Sequence, residues 1–150
     1  MIMKQKIEPD ETDWQIINEL SEINQTNTML AQKLGVSEGK IRQRLKKLHD
    51  ANVLKIRALR NPDILTEQQL AFVATSITES KYLKQKAEEI SQLKNVQSVS
   101  ILSGQYDLMV EVLVNSNRGL IQFLTEELSK IDGISKTETF LILESINKWI

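Results

Sequence analysis

Between Pro9 and Leu48 the apolar positions recur at steps of three and four, the spacing of helices that each bury one face. Pro9-Asp10-Glu11-Thr12 reads as a helix start, and Trp14, Ile17 and Leu20 follow as its stripe. Thr26 is placed to cap a second helix running to Leu34 and burying Leu30 and Leu34. Leu34-Gly35-Val36-Ser37 then turns the chain sharply: Gly35 supplies a permissive backbone, and the Ser37 hydroxyl can accept from an unpaired amide of the next helix. In that third helix Ile41, Leu45 and Leu48 form the buried stripe. At about 100° per residue, Gly39, Gln43, Lys46 and Lys47 fall opposite it, with Lys40 and Arg42 on the flanks.

Beyond Leu48 the rhythm changes. Val53, Leu54 and Ile56 favour an extended backbone, which predicts a basic wing strand over residues 52–60. Asn61-Pro62-Asp63 breaks it, and residues 61–69 read as a linker. Strand-like stretches then cover 70–78, 96–102, 107–114 and 135–146. Two helices lie between them, one capped by Ser80 and carrying Leu83, Ala87, Ile90 and Leu93, the other bearing Leu120, Leu124, Leu128 and Ile131. The order is β-α-β-β-α-β, a split βαβ arrangement of the ferredoxin-like kind with both helices on one face of the sheet. The predicted fold class is therefore α+β: a winged helix-turn-helix over residues 1–60, the linker, and a ferredoxin-like βαββαβ domain over 70–150.

A sheet covered by helices on one side alternates apolar with polar residues. Here Leu108, Val110, Val112 and Val114 are opposed by Met109 and Leu113, and Leu141 and Leu143 by Phe140 and Ile142. Both faces are apolar, so the free one is expected to pack against another copy of the chain.

Charge bears on the first domain. The whole chain carries a formal charge of −1, yet Ser37 to Arg60 holds eight basic residues against Glu38 and Asp50, a local +6 on a body of −7. A capped helix that buries one stripe and shows basic and amide side chains to solvent suits a DNA major groove. An ordinary amphipathic helix pair with a solvated charged face fits the same pattern. On the DNA reading, Ser37, Glu38, Gly39, Lys40, Arg42, Gln43, Lys46, Lys47, Lys55 and Arg57 are the contact residues. Lysines and Arg57 would take phosphates, while Arg42 and Gln43 would read guanine and adenine edges. Arg44 lies about 60° from the buried stripe, where pairing with an acid of the first helix such as Asp13 competes with DNA contact. His49 is placed to meet helix-end carbonyls, and Trp14 and Trp149 to pack.

Composition excludes more than it assigns. The 150 residues contain no cysteine and one histidine, which removes disulfides and argues against a transition-metal site. No catalytic constellation, cofactor motif or 18-residue apolar run is present, and the first residues lack the apolar core of a signal peptide. A cytoplasmic protein without membrane contact is expected.

In their order and spacing, several motifs resemble the Lrp/AsnC family, the leucine-responsive or feast/famine transcription regulators of prokaryotes. They are Asp10-Glu11-Thr12-Asp13, Leu30-Ala31, and Ser37 with Ile41, Arg44 and Leu48; in the second domain, Ser103-Gly104-Gln105-Tyr106-Asp107, Asp132-Gly133-Ile134 and Thr137-Glu138-Thr139. The resemblance covers essentially the whole chain. It implies a regulator that binds double-stranded DNA as a dimer, assembles into dimers and often octamers, and senses a small molecule, typically an amino acid. It also implies an effector site between subunits near Gly104, Gln105, Tyr106 and Asp107, with Asp107 answering an α-ammonium group and Tyr106 supplying a wall. A simple hairpin turn with a packed tyrosine is the competing reading of that loop. Two departures stand out: Ala51-Asn52 where the family often has glycine before the wing, and Gly39 early in the third helix. Asparagine tolerates a left-handed backbone, so the turn can survive. Two other functions share the architecture. One is an assembly partner that binds no DNA and modulates another regulator. The other is an enzyme like the siroheme decarboxylases, which would need basic or histidine side chains in the second domain, whereas the one histidine lies in the first.

Overall fold

The computed structural model describes residues 7–150, which divide into two compact units at Ala58/Leu59. The reading of the extreme N-terminus as lacking a signal core rests partly on residues 1–6, outside the described residues.

The first unit holds helices α1 (Glu11–Glu22), α2 (Asn27–Leu34) and α3 (Glu38–Asp50). Each begins on a side-chain cap. Asp10 and Asp13 cap α1 reciprocally, each carboxylate accepting from the other's backbone N–H. Thr26 accepts from the Met29 amide and Ser37 from that of Lys40. Gly35 ends α2 at φ +65°, a left-handed backbone that glycine adopts without steric cost. Ile16, Leu30, Ala31 and Ile41 form the core, with Leu20, Leu34, Val36 and Leu45 packed around it.

The α1 stripe is rotated from the expected one. Asp13 and Ile16 are its buried residues, and Trp14 is 52% exposed rather than packed. The strand expected over residues 52–60 is also corrected. After α3 the chain turns through Asn52 at φ +56°, then runs on with no strand in residues 51–60. Val53 and Leu54 donate their amides back to the Leu48 carbonyl instead of to a partner strand. Leu59 and Arg60, expected at the end of the wing, fall in the second unit, where Arg60 and Ile150 exchange backbone hydrogen bonds of 2.7 and 2.9 Å.

The second unit is a ferredoxin-like domain. Strands β1 (Gln69–Ile77), β2 (Val96–Ile101), β3 (Leu108–Val114) and β4 (Ile134–Leu141) form an antiparallel sheet in the order β2-β3-β1-β4. Helix α4 (Leu83–Ser91) follows a 3-10 turn at Ser80–Tyr82, so Ser80 does not cap it as expected. Helix α5 (Asn117–Gln122) is capped by Ser116 and continues through a π turn, Phe123–Glu127, into a 3-10 turn, Leu128–Lys130. Both helices cover one face, where Ala71, Val73, Leu108, Val110, Val112 and Val114 pack against Ala87, Ile90, Leu120, Phe123 and Leu128. Gly133, at φ +85°, turns the chain into β4. That strand ends at Leu141 rather than Ile146, because residues beyond it fold back over the helix-free face. There Ile150 packs on Leu70 and Leu113, and Lys148 lies over the Phe72 ring and pairs with Glu111. Trp149 is 57% exposed, against its expected packing role. Among the described residues no helix is long and apolar enough to cross a membrane.

Candidate nucleic-acid interface

Helix α3 presents Ser37, Gly39, Lys40, Arg42, Gln43, Lys46 and Lys47 to solvent, with Glu38 partly covered; Lys55 and Arg57 are exposed on the segment that follows. Its inner side is fixed by charge as well as by apolar packing. Arg44 Nη1 donates to Asp10 Oδ2 and Asp13 Oδ1, both at 2.7 Å, which realises the expected pairing with α1. Lys47 Nζ lies 3.2 Å from Asp13 Oδ2, so this expected phosphate contact is shared with a structural pair.

Asp13 is fully buried, yet remains a carboxylate. Burial pushes its pKa up, but hydrogen bonds from Arg44, the Asp10 amide and Lys47 outweigh burial and hold it below the usual range. The Arg44 hydrogen bond, more than any other contact, lowers Asp10 as well. The same pairs raise Arg44.

The outer face divides into bound and unbound cations. Lys46 pairs with Asp50 at 2.8 Å, which raises the lysine and lowers the aspartate. Arg42 pairs with Glu38 at 2.6 Å. Among the described residues Lys40, Gln43, Lys55 and Arg57 have no side-chain partner. Exposed pairs such as Lys46–Asp50 contribute little to stability. His49 Nδ1 faces the Asp50 carboxylate at 3.5 Å rather than a helix-end carbonyl.

The loop 103–107 joins β2 to β3. Gly104 and Gln105 are exposed, whereas Tyr106 is buried, only 9% exposed. The Tyr106 hydroxyl donates to the Glu138 carboxylate, and Lys136 Nζ sits 5.0 Å from its ring centroid. Lys136 and Glu138 lie on β4 opposite Ser76 and Ala74 of β1. Asp107 ties the hairpin to β1: its Oδ2 accepts from the Ile77 amide at 2.8 Å, and its own amide donates to Thr75 O at 2.9 Å. One carboxylate oxygen expected to face an effector is thus committed to the backbone. Glu138 and Lys136 were not singled out as site residues by sequence reasoning. The alternation along Lys136-Thr137-Glu138-Thr139 puts both on one face, but only the register of β4 on β1 brings them to Tyr106.

Known proteins match both units. A family model described as the Lrp/AsnC ligand binding domain matches residues 70–148, and one described as winged helix-turn-helix DNA-binding matches residues 9–55. An uncharacterised HTH-type transcriptional regulator of Pyrococcus furiosus is 36% identical over 142 residues, which are 93% of this chain and 95% of the relative. The proline dehydrogenase transcriptional activator of Rhizobium radiobacter is 29% identical across 93% of this chain and 92% of its own length. Among solved structures, a transcriptional regulator from Neisseria meningitidis in complex with L-methionine superposes with a TM-score of 0.68 at 25% identity. The match covers 93% of this chain and 92% of that one.

Proposed function

The chain belongs to the Lrp/AsnC family of DNA-binding transcriptional regulators, and from that premise we propose that it reads operator DNA with α3 and answers an amino acid through its second domain. The observation that carries the DNA reading is the construction of α3: capped by Ser37, locked to α1 through Arg44 and Asp13, and basic on its free face. Lys40, Lys46, Lys55 and Arg57 contact phosphates, and Lys47 joins them while remaining near Asp13. Arg42 and Gln43 reach base edges, and the bare backbone at Gly39 allows close approach. Two copies place their α3 helices in successive major grooves, about 34–36 Å apart.

Self-association uses the helix-free sheet face, where Phe140 is 43% exposed beside Phe72. The effector loop opens on the same face, because Glu138 lies on β4 opposite Ala74. An effector held between copies would therefore meet the Gly104–Gln105 backbone, Tyr106 and the second oxygen of Asp107. The methionine in the Neisseria meningitidis regulator favours an amino acid as the ligand class. The relatives are named as transcriptional regulators, which favours regulation over enzyme chemistry.

Selection from a pool of random duplex DNA at two salt concentrations, with and without mixed amino acids, tests the reading. An enriched palindrome with steep salt dependence is the expected result. No enrichment under any condition would overturn it and leave the assembly-partner function standing.

A further inference from the structure

The Glu38 carboxylate is placed oddly for a groove-binding face, since it would repel a phosphate. Its contacts explain it. One oxygen accepts from the Thr28 hydroxyl of α2 at 3.0 Å, and the other receives the Arg42 guanidinium at 2.6 Å, one turn along α3. The Arg42 side chain is 71% exposed and that of Glu38 43%, so the carboxylate sits lower and the guanidinium extends past it. Among the described residues Arg42 is engaged through Nη2, leaving the guanidinium's other N–H donors for a base edge.

We propose that Glu38 is a positioning residue for base recognition: held by Thr28, it fixes the Arg42 guanidinium in the orientation that reads guanine. The proposal rests on the DNA-reading function of α3. A free arginine loses rotamer entropy when it docks, and a guanidinium already held in its plane loses less. The carboxylate also acts against the wrong contact. If Arg42 turned aside to a phosphate, it would leave Glu38 unpaired beside the DNA backbone, which penalises non-specific binding. Glu38 thus gives up overall affinity for discrimination.

The test uses the full chain and three variants, Glu38→Ala, Thr28→Val and Arg42→Ala, each carried through selection from random duplex DNA and titrated against an unselected duplex. Arg42→Ala identifies the base position that Arg42 reads. Glu38→Ala is expected to lower guanine preference at that position roughly fivefold or more, the lower end for a bidentate arginine–guanine pair. The same variant is expected to bind unselected DNA about two- to threefold more tightly, because a negative charge near phosphates has gone. A helix merely damaged by the substitution would lose affinity for all DNA. Should Glu38→Ala fail to fold, Thr28→Val, which removes one support of the carboxylate, reads the same position. Unchanged preference, or a change at a position Arg42 does not read, overturns the positioning role while the DNA reading stands. A wild-type chain that enriches no sequence overturns both.

Discussion

Replacing Arg44 with Ala should destabilise the helical unit far more than a surface cation would. Arg44 serves two carboxylates of different kinds. The side chain of Asp10 is 52% exposed, and solvent screening leaves a pair of that sort little to contribute. Asp13 is completely buried, and breaking a buried pair by removing one partner costs about 3–5 kcal/mol. Two contacts soften the loss: the Asp10 amide and Lys47 Nζ, each 3.2 Å from Asp13 Oδ2, remain. We therefore expect about 2–3 kcal/mol, a large part of the roughly 3–7 kcal/mol available to a domain of this size. In a Trp149→Phe background Trp14 is the remaining tryptophan and reports on this unit in a urea titration of the full chain. With a slope near 1 kcal/mol per molar urea, the midpoint should fall by about 2 M or more. Asp13→Ala should cost a similar amount, and the double variant should cost much less than the two together. A midpoint shift below about 0.5 M, accompanied by weaker DNA binding, would refute this reasoning and return Arg44 to the DNA-contact role.

Acid should act through the same pair. Asp10 and Asp13 have pKa values lowered on folding, so their contribution is complete above the ordinary aspartate range and is lost as pH falls through the folded values. The Trp14 midpoint should be flat from about pH 7 to 5 and drop below about pH 4; a loss near pH 6 would point to another group. In DNA binding, Gln43→Ala should relax sequence preference, while Lys46→Ala should weaken all sites alike and reduce the salt slope by about one. Equal losses on selected and random DNA for both variants would sink that division. Phe140→Asp should shift the chain toward monomer in sedimentation velocity, and an unchanged sedimentation coefficient would exclude the helix-free face as the interface. Asp107→Asn keeps an acceptor for the Ile77 amide but removes the charge, so it should abolish an amino-acid response in DNA titrations while leaving DNA binding intact. A preserved response would move the effector's ammonium partner elsewhere, with Glu138 the next carboxylate to replace.

Much of this architecture is written in short-range pattern. The Asp10, Thr26 and Ser37 caps, the Gly35 turn and the left-handed Asn52 involve residues within one turn of each other, so their chemistry is legible without the fold. The βαββαβ order follows from alternating strand and helix periods, and the handedness of crossovers then places both helices on one face. Even the Arg44–Asp13 pair was readable, because helix geometry puts Arg44 beside the buried stripe. Trp14 shows where periodicity fails. An apolar stripe was the natural choice for α1, but the half-buried guanidinium of Arg44 requires a carboxylate there. Asp13 therefore turns inward and Trp14 outward. The segment after α3 shows a second kind of failure, since Val53, Leu54 and Ile56 favour an extended backbone but form no strand, a propensity that only cross-strand packing converts into one. The candidate sites depended most on tertiary structure. Tyr106 and Glu138 are 32 residues apart, and Asp107 and Ile77 are 30. Such pairs are set by strand register, and a shift of one residue would turn Glu138 to the opposite face. Sequence alone determined the starts of the three helices of the first unit, the βαββαβ order and the charge of α3, because those depend on neighbours in the chain; the sheet register, the end of β4 and the burial of Asp13 were decided by packing, which sets which side chains meet.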